Sequence, residues 1–234
     1  MVERTSARPS IACYRAAGVD YAAGLRWQHA TAEAVRGGGR EALALIEHAP
    51  VYTMGRRGGR ASLLVPPETL GAPLVDVERG GDVTWHGPGQ LVGYPILHLR
   101  ARDIRAADYV RLLEATLVDA LAALEVDAAP VAGRPGVWVR GEKVAAIGVA
   151  IRGGVSMHGF ALNVAPDLAW FDAIVPCGIA GAGVTSIERV TGGAPSMDAA
   201  VEAVRAAFEA RFGLRLDASS ALEPPSAAAV AWAG

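Results

Sequence analysis

A glycine- and proline-rich stretch at residues 79–95, RGGDVTWHGPGQLVGYP, places the strongest constraint on the fold of this chain. Residues typical of β-strands, at 83–85 and 91–92, stand between its glycines. The pattern predicts a strand, a forced turn and a second strand. Glycine tolerates positive φ and close backbone approach, so we expect the bends to bring polar side chains toward a bound group. A solvated loop is the alternative interpretation.

The composition limits the classes of function open to the chain. Its 234 residues suit one large or two small domains, and 22 Lys plus Arg stand against 24 Asp plus Glu. The resulting net charge of −2 argues against nucleic acid as the main partner and offers no polybasic membrane patch. No run of about 18 apolar residues occurs. With Cys13 and Cys177 as the only cysteines, we expect no disulfide framework and predict a cytoplasmic protein without a membrane segment.

Apolar periodicity predicts one domain of mixed secondary structure. Short strands are predicted at residues 11–14, 43–47, 51–53, 75–77, 136–139, 143–151, 155–164 and 184–187. Three helices are predicted, one capped by Asp20 and ending at Gly37, one over residues 106–125, and one capped by Ser196. Residues 10–215 form the domain in this interpretation, and residues 1–9 and 216–234 form flexible tails.

The predicted strand KVAAIGVAI contains side chains of unusual size and charge for a buried strand. Strict alternation places Lys143 and Ala145 on one face, and Ala146 and Gly148 on the other. The small residues of the second face leave a groove where bulky side chains would fill space. In the strand that follows, Gly159 predicts a bulge or a ligand against the backbone.

A basic, glycine-rich turn, GRRGGR, lies at residues 55–60. It lacks the GK[ST] ending and the strand-to-helix setting of a phosphate-binding loop. A solvated loop and an anion-contacting role for Arg56, Arg57 and Arg60 are both open, because clustered arginines suit phosphate recognition.

Cys177 is the candidate nucleophile, because it lies in a predicted tight turn between proline and glycine. Cys13, within a short apolar strand, is expected to pack as a small hydrophobic residue. A reactive thiolate needs a lowered pKa, which Lys143, His86 or His158 could provide. A structural thiol is the alternative. The five histidines lack zinc-ligand spacing, so no metal site is predicted.

Four motifs together resemble those of one enzyme family. The pattern RGGxxTxHxxGQxxxY is matched by Arg79, Gly80, Gly81, Thr84, His86, Gly89, Gln90 and Tyr94. KVAAIG at residues 143–148, HGFALN at 158–163 and IVPCGI at 174–179 follow in order. The chain therefore resembles the lipoyl(octanoyl) transferases over residues 43–187.

The resemblance implies a fold, an activity and a set of site residues. The expected fold is α/β (α+β), a mixed sheet flanked by helices, similar to the catalytic domain of biotin and lipoate protein ligases. The expected catalytic residues are Cys177, which forms an acyl-thioester, and Lys143, which lowers the pKa of that cysteine. The expected acyl-binding segments contain Arg79, Gly80, Gly81, Asp82, Val83, Thr84, Trp85, His86, Ala146, Ile147, Gly148, Gly159, Phe160 and Ala161.

The resemblance also implies the reaction partners. Octanoyl-acyl carrier protein is the expected donor, and a lysine on lipoyl domains of 2-oxoacid dehydrogenase E2 subunits or on the glycine-cleavage H protein is the expected acceptor. No cofactor is expected, because the donor thioester is already activated. We further expect backbone N–H groups near Cys177 and Gly178, with Lys143 or His86, to stabilise the tetrahedral oxyanion.

Three alternatives follow from the same residues. A lipoate-protein ligase of the same fold would use a free acid and ATP and would not need Cys177. A cysteine hydrolase would pair Cys177 with His158 or His86 and release the acid to water. A non-catalytic acyl-chain binding protein would retain its ligand when Cys177 is replaced.

Overall fold

The computed structural model describes residues 8–175 and 183–218. Eleven strands in this part of the chain form two sheets. The strands are β1 (Ser10–Val19), β2 (Ala42–His48), β3 (Val51–Met54), β4 (Leu74–Asp76), β5 (Val83–His86), β6 (Gln90–Ile96), β7 (Ala129–Val131), β8 (Arg134–Val139), β9 (Glu142–Arg152), β10 (Val155–Asn163) and β11 (Arg215–Ala218). The helices are α1 (Tyr21–Arg36), α2 (Ala106–Ala123), α3 (Ile187–Thr191) and α4 (Met197–Phe212).

The larger sheet is mixed and has eight strands in the order β11-β1-β2-β6-β10-β9-β8-β7. β1 pairs in parallel with both β11 and β2, and the other neighbours pair antiparallel. Helices cover both faces of this sheet. Trp27 and Val35 of α1 pack on one face, and α2 and α4 pack on the other with Leu117 and Phe208 fully buried.

The smaller sheet has the order β4-β3-β5 and supplies one side of the site described below. β5 ends at His86, and β6 begins four residues later in the larger sheet. The predicted strand, turn and strand of residues 79–95 are therefore present, but the turn at Gly87–Gly89 transfers the chain between sheets. A 3₁₀ helix at Leu168–Ala173 packs on the outer face of the smaller sheet, where Trp85 stacks on Trp170.

Most of the predicted elements occur in the structure. The Asp20 side chain accepts a hydrogen bond from the Ala23 N–H at 2.9 Å, and Ser196 caps α4 in the same way, as predicted. Cys13 is buried in the core, as predicted, and burial raises the pKa of its thiol. No helix in the described ranges is long and apolar enough to cross a bilayer.

Two local predictions were wrong. Residues 184–187 were predicted as a strand, but Val184 makes a single bridge to Lys143 and the Ser186 side chain then caps the short helix α3. Residues 216–218 were assigned to a tail, yet they belong to β11, which pairs with β1 and buries Leu216. Both segments are too short for sequence periodicity to identify their structure.

Candidate functional site

A groove runs along β9 and β10 on the α1 face of the larger sheet. Ala146 lies directly opposite Ala161, and Gly148 lies directly opposite Gly159. Directly opposed residues share a face, so two successive pairs of small residues leave a channel there. A Cβ added to Gly148 would lie 3.0 Å from the Gly80 carbonyl oxygen, so glycine at this position allows the close approach of the loop that covers the groove.

Most of the predicted substrate-binding residues border one pocket in this groove. The pocket encloses about 480 Å³ when the space open to solvent is included. Its lining includes these predicted residues: Arg79, Gly81, Asp82, Thr84, His86, Ala146, Ile147, Gly148, Gly159, Phe160 and Ala161.

The other predicted substrate-binding residues do not line this pocket. Val83 and Trp85 alternate with Thr84 and His86 on β5, so their side chains pack on the outer face of the smaller sheet. The Gly80 N–H donates to the Val149 carbonyl at 2.9 Å and so anchors the covering loop to β9.

Lys143 lies on the groove face because of an irregularity in β9. Val137 of β8 pairs with Ala145, but Trp138 pairs with Lys143, so β9 contains one extra residue, Val144, at this point. Such a β-bulge changes the face to which the following side chains point. Val144 and Ala145 both pack in the core, and Lys143 borders a small cavity with Ala146. The strict alternation predicted for Lys143 and Ala145 was therefore wrong.

This small cavity lies next to the main pocket. Thr84, Ala146 and Ala161 line both. Lys143 therefore lies at the end of the groove formed by the small residues.

The Lys143 side chain lies over the ring of Trp138, with Nζ 4.7 Å from the ring centroid. Both residues are buried, with 7% of Lys143 and 4% of Trp138 exposed. A cation over an indole face is attracted by the ring quadrupole, more strongly when desolvated. Trp138 therefore holds the Lys143 amine at the end of the groove. The indole N–H donates to the Arg134 carbonyl at 3.2 Å and fixes the ring.

The main chain of Lys143 is bonded to the segment that follows Cys177 in the sequence. The Lys143 N–H donates to the Gly183 carbonyl at 2.9 Å, and the Thr185 N–H donates to the Lys143 carbonyl at 2.9 Å. On the other side, the Val175 N–H donates to the Ser62 carbonyl at 2.8 Å. The predicted nucleophile Cys177 itself, with Gly178, lies outside the described residues.

A chain of hydrogen bonds begins at Arg79 in the covering loop. The guanidinium donates to Thr53 Oγ1 at 2.8 Å, and that hydroxyl is 3.3 Å from His86 Nε2. His86 Nδ1 lies 2.7 Å from Gln90 Oε1. Since the amide oxygen only accepts, Nδ1 carries the proton and Nε2 accepts from the Thr53 hydroxyl.

The same chain continues from Gln90 to Lys143. Gln90 Nε2 donates to Asn163 Oδ1 at 2.9 Å, and Asn163 Nδ2 donates to the Thr185 carbonyl at 2.9 Å. Thr185 in turn donates its N–H to Lys143, as described above. The two ends of the groove are therefore linked through buried polar groups, and such networks rigidify a site when every member is satisfied.

Two buried histidines, His86 and His158, border the main pocket and not the small cavity that Lys143 lines, and we call this part of the groove the histidine end. Burial, together with His48 and the Arg79 charge, lowers the pKa of His86 to about 3. Burial, followed by the Arg79 charge, also lowers the pKa of His158 to about 3. Both rings are neutral near pH 7, so neither supplies a cation or an effective base there.

Several features of these histidines were not visible in the sequence. His158 has a φ of 56°, uncommon for a non-glycine residue, and its N–H donates to Gln28 Oε1 at 2.7 Å. Within the described chain, Nε2 of His158 has no hydrogen-bond partner. His48 accepts a hydrogen bond from the Tyr94 hydroxyl at 2.6 Å and donates from Nδ1 to the Val19 carbonyl.

Sequence reasoning missed some residues of the site. Tyr21, Val92, Tyr94 and His158 line the pocket but were not among the predicted substrate-binding residues. Tyr94 and His158 stand inside the motifs, which was the available signal. Tyr21 had no signal, because it comes from the start of a helix distant in sequence. In the parts of the chain covered by the structure, no cluster of His, Cys, Asp or Glu is arranged to hold a metal ion.

Comparison with known sequences places this geometry in a family. Residues 20–209 match the family model described as the lipoyl protein ligase A/B catalytic domain. An octanoyltransferase of Geobacter sulfurreducens is 50% identical over 203 residues, which cover 86% of this chain and 83% of that protein. An octanoyltransferase of Mycolicibacterium gilvum is 42% identical over 215 residues, covering 88% of each chain.

Solved structures agree on the architecture. Lipoate-protein ligase A bound with ATP matches with a TM-score of 0.74 at 17% identity, covering 92% of this chain and 90% of that one. A bi-partite lipoate protein ligase from Thermoplasma acidophilum matches with a TM-score of 0.67 at 18% identity, covering 90% and 89%. At these identities the likeness shows the fold alone, and it confirms the predicted mixed sheet flanked by helices.

Proposed function

The chain belongs to the lipoyl protein ligase A/B catalytic-domain family, and we propose that it is an acyltransferase that transfers an octanoyl group in protein lipoylation. The observation that supports this most is the groove of paired small residues that ends at the buried Lys143. A narrow, mostly apolar channel suits an aliphatic chain, since each buried methylene contributes about 0.8 kcal/mol. The relatives named octanoyltransferase support the same activity.

In the proposed mechanism Cys177 is the nucleophile. Its thiolate attacks the carbonyl carbon of the donor thioester, the donor's C–S bond breaks, and the donor leaves as a thiol after taking up a proton. The uncharged amine of the acceptor lysine then attacks the acyl-enzyme. An amide C–N bond forms, the bond to Cys177 breaks, and the amine releases its proton. The hydrogen bond from the Lys143 N–H to the Gly183 carbonyl supports a role of the lysine beside this cysteine.

Lys143 acts as a cation in this mechanism. An ammonium group beside the sulfur stabilises the thiolate and so lowers the pKa of Cys177. The aromatic face of Trp138 lies against Nζ and supports this role by a cation–π contact with the ammonium group.

In this mechanism Lys143 and the backbone N–H groups of Cys177 and Gly178 stabilise the tetrahedral oxyanion. His86, the other predicted donor, fits this role poorly. Both of its ring nitrogens are already within hydrogen-bond distance of Thr53 and Gln90, and its pKa is lowered to about 3 by burial. His86 instead positions the Arg79 loop over the groove.

The donor in this proposal is octanoyl-acyl carrier protein, and the acceptor is a lysine of a lipoyl domain, either of a 2-oxoacid dehydrogenase E2 subunit or of the glycine-cleavage H protein. A thioester donor is already activated, so neither ATP nor a metal takes part. The site of action is the cytoplasm, where a chain with two cysteines stays reduced.

Intact-protein mass spectrometry tests the acyl-enzyme. The protein is mixed with octanoyl-acyl carrier protein in the absence of ATP, and wild type is compared with Cys177→Ser and with the matched control Cys13→Ala. We expect a hydroxylamine-labile octanoyl adduct on wild type and on Cys13→Ala, and none on Cys177→Ser. Transfer to a lipoyl domain that requires ATP would replace this mechanism with that of a ligase. Release of octanoate without an acceptor would indicate a hydrolase.

A further inference from the structure

Three exposed arginines, Arg56, Arg57 and Arg60, lie in one loop together with Leu64. We call these four residues the basic surface. None of its arginines lies within ion-pair distance of a carboxylate in the described ranges, whereas Arg102 and Arg211 in other elements pair with Glu41 and Asp119. The whole chain carries a net charge of −2, so the basic surface differs in sign from the protein as a whole.

The basic surface lies at the edge of the groove. The Arg56 N–H donates to the Arg79 carbonyl at 3.1 Å, and the Arg57 N–H donates to the Gly81 carbonyl at 3.0 Å. Arg79 and Gly81 both line the pocket. These bonds hold the loop beside the segment that covers the groove.

At its other end the basic surface contacts the segment that leads toward Cys177. The Leu64 N–H donates to the Ala173 carbonyl at 2.9 Å, and Leu63 bridges Ile174. A partner bound here would therefore sit over both the groove and this segment.

Leu64 adds an apolar contact to the charged loop. Its exposed fraction is 61%, and Val131, at 39%, is the other large exposed apolar side chain among the described residues. Exposed apolar side chains beside arginines are typical of protein interfaces, where arginine is enriched. A free phosphate or sugar phosphate would not use Leu64, so a protein surface fits these residues better.

We propose that the basic surface docks an acidic protein that delivers the acyl group on a thioester arm. This docking role rests on the proposed function, because the donor has to place its acyl group into the groove beside the loop. Charges at the rim of an interface act mainly through the association rate, which falls with salt. The basic surface therefore selects the donor protein, and the groove selects the acyl chain.

Charge reversal with two donors tests the docking role. The triple variant R56E/R57E/R60E is compared with wild type and with R8E/R26E/R100E, which reverses three exposed arginines in other segments. Each is assayed at low salt with octanoyl-acyl carrier protein and with octanoyl-pantetheine. We expect the first variant to lose 10- to 100-fold in kcat/KM with the carrier protein and less than twofold with octanoyl-pantetheine. The control variant should lose less than threefold with either donor.

Other results would overturn the docking role. The docking role would be wrong if the triple variant kept its kcat/KM with the carrier protein, or lost equally with both donors. It would also be wrong if only the KM for the lipoyl domain rose. A Leu64→Ser variant should lose about threefold in kcat/KM with the carrier protein only. If its loss did not differ between the two donors, Leu64 would not be part of the docking surface. Failure of the proposed function has a different signature, since wild type would then form no acyl-enzyme from either donor.

Discussion

The two ends of the groove are built on different physical principles. At the lysine end, Lys143 is held by an aromatic ring, by a bulge and by main-chain bonds to the segment after Cys177. At the histidine end, His86 is neutral, fixed by directed hydrogen bonds, and close to the Arg79 charge. In the proposed mechanism the lysine end provides a charge near Cys177, and the histidine end provides shape. Mutations at the two ends should therefore affect different quantities.

The largest expected effect comes from removing the charge at the lysine end. Lys143→Met keeps the aliphatic stem over Trp138 but loses the ammonium, so we expect kcat for acyl transfer to fall about 10²- to 10⁴-fold. The measurement is the rate of acyl-enzyme formation, together with the pH profile of Cys177 alkylation, whose midpoint should rise. Lys143→Arg serves as the control for charge without the same geometry. If neither variant changed the midpoint of the alkylation profile, Lys143 would have no effect on the pKa of Cys177.

The histidine end should instead control how stability depends on pH. The pKa of both His86 and His158 is about 3 in the folded chain against an ordinary 6.5, so the unfolded chain binds more protons between these values. The contribution of these two rings to the free energy of unfolding should therefore be constant above about pH 6.5 and fall below it, by about 1.4 kcal/mol per pH unit for each ring.

Urea denaturation at several pH values between 4 and 8 measures this slope. His158→Asn, a residue type that tolerates positive φ, should reduce the slope by about the contribution of one ring. A slope identical to that of wild type would mean that the pKa of His158 is the same in the folded and the unfolded chain. The Lys143→Met variant should leave the slope unchanged, which separates the two ends.

The smallest of these effects is expected at Trp138. Trp138→Leu removes the aromatic face under Lys143, and we expect kcat to fall about tenfold, in line with a cation–π interaction of roughly 1–2 kcal/mol. Trp138→Phe retains a weaker aromatic face and should lose less activity. If Trp138 acts through Lys143, the Trp138→Leu change should have no further effect on kcat in the Lys143→Met background. Additive losses in the double variant would mean that the tryptophan has only a packing role.

Sequence reasoning predicted the residues that shape the groove better than it predicted their contacts and pKa values. The glycines of residues 79–95 and the small residues Ala146 and Gly148 indicated a groove, because their effect is local. The position of Tyr21 beside the pocket depends on a contact between distant segments, which one sequence does not reveal. The low pKa of His86 likewise comes from burial, which depends on the fold and not on neighbouring residues.

The lysine's face was mispredicted because alternation assumes an unbroken strand. Val144 looks like any other apolar residue of β9, and its status as the extra residue follows from how β8 pairs with the strand. A bulge needs only one extra residue in the strand, and it changes which side chain faces the groove. Counting apolar and polar positions cannot detect it.

The bulge makes the site sensitive to residue number more than to residue identity. Another aliphatic side chain in place of Val144 would preserve the parity of β9, so Lys143 would still face the groove. Deleting Val144 would remove the bulge and leave Lys143 next to Ala145, so simple alternation would still point the lysine into the groove. Inserting one residue between Lys143 and Val144 would instead turn the ammonium group into the core, on the face covered by α2. A catalogue of tolerated changes at this point should therefore contain many substitutions of Val144 and no single-residue insertion beside it.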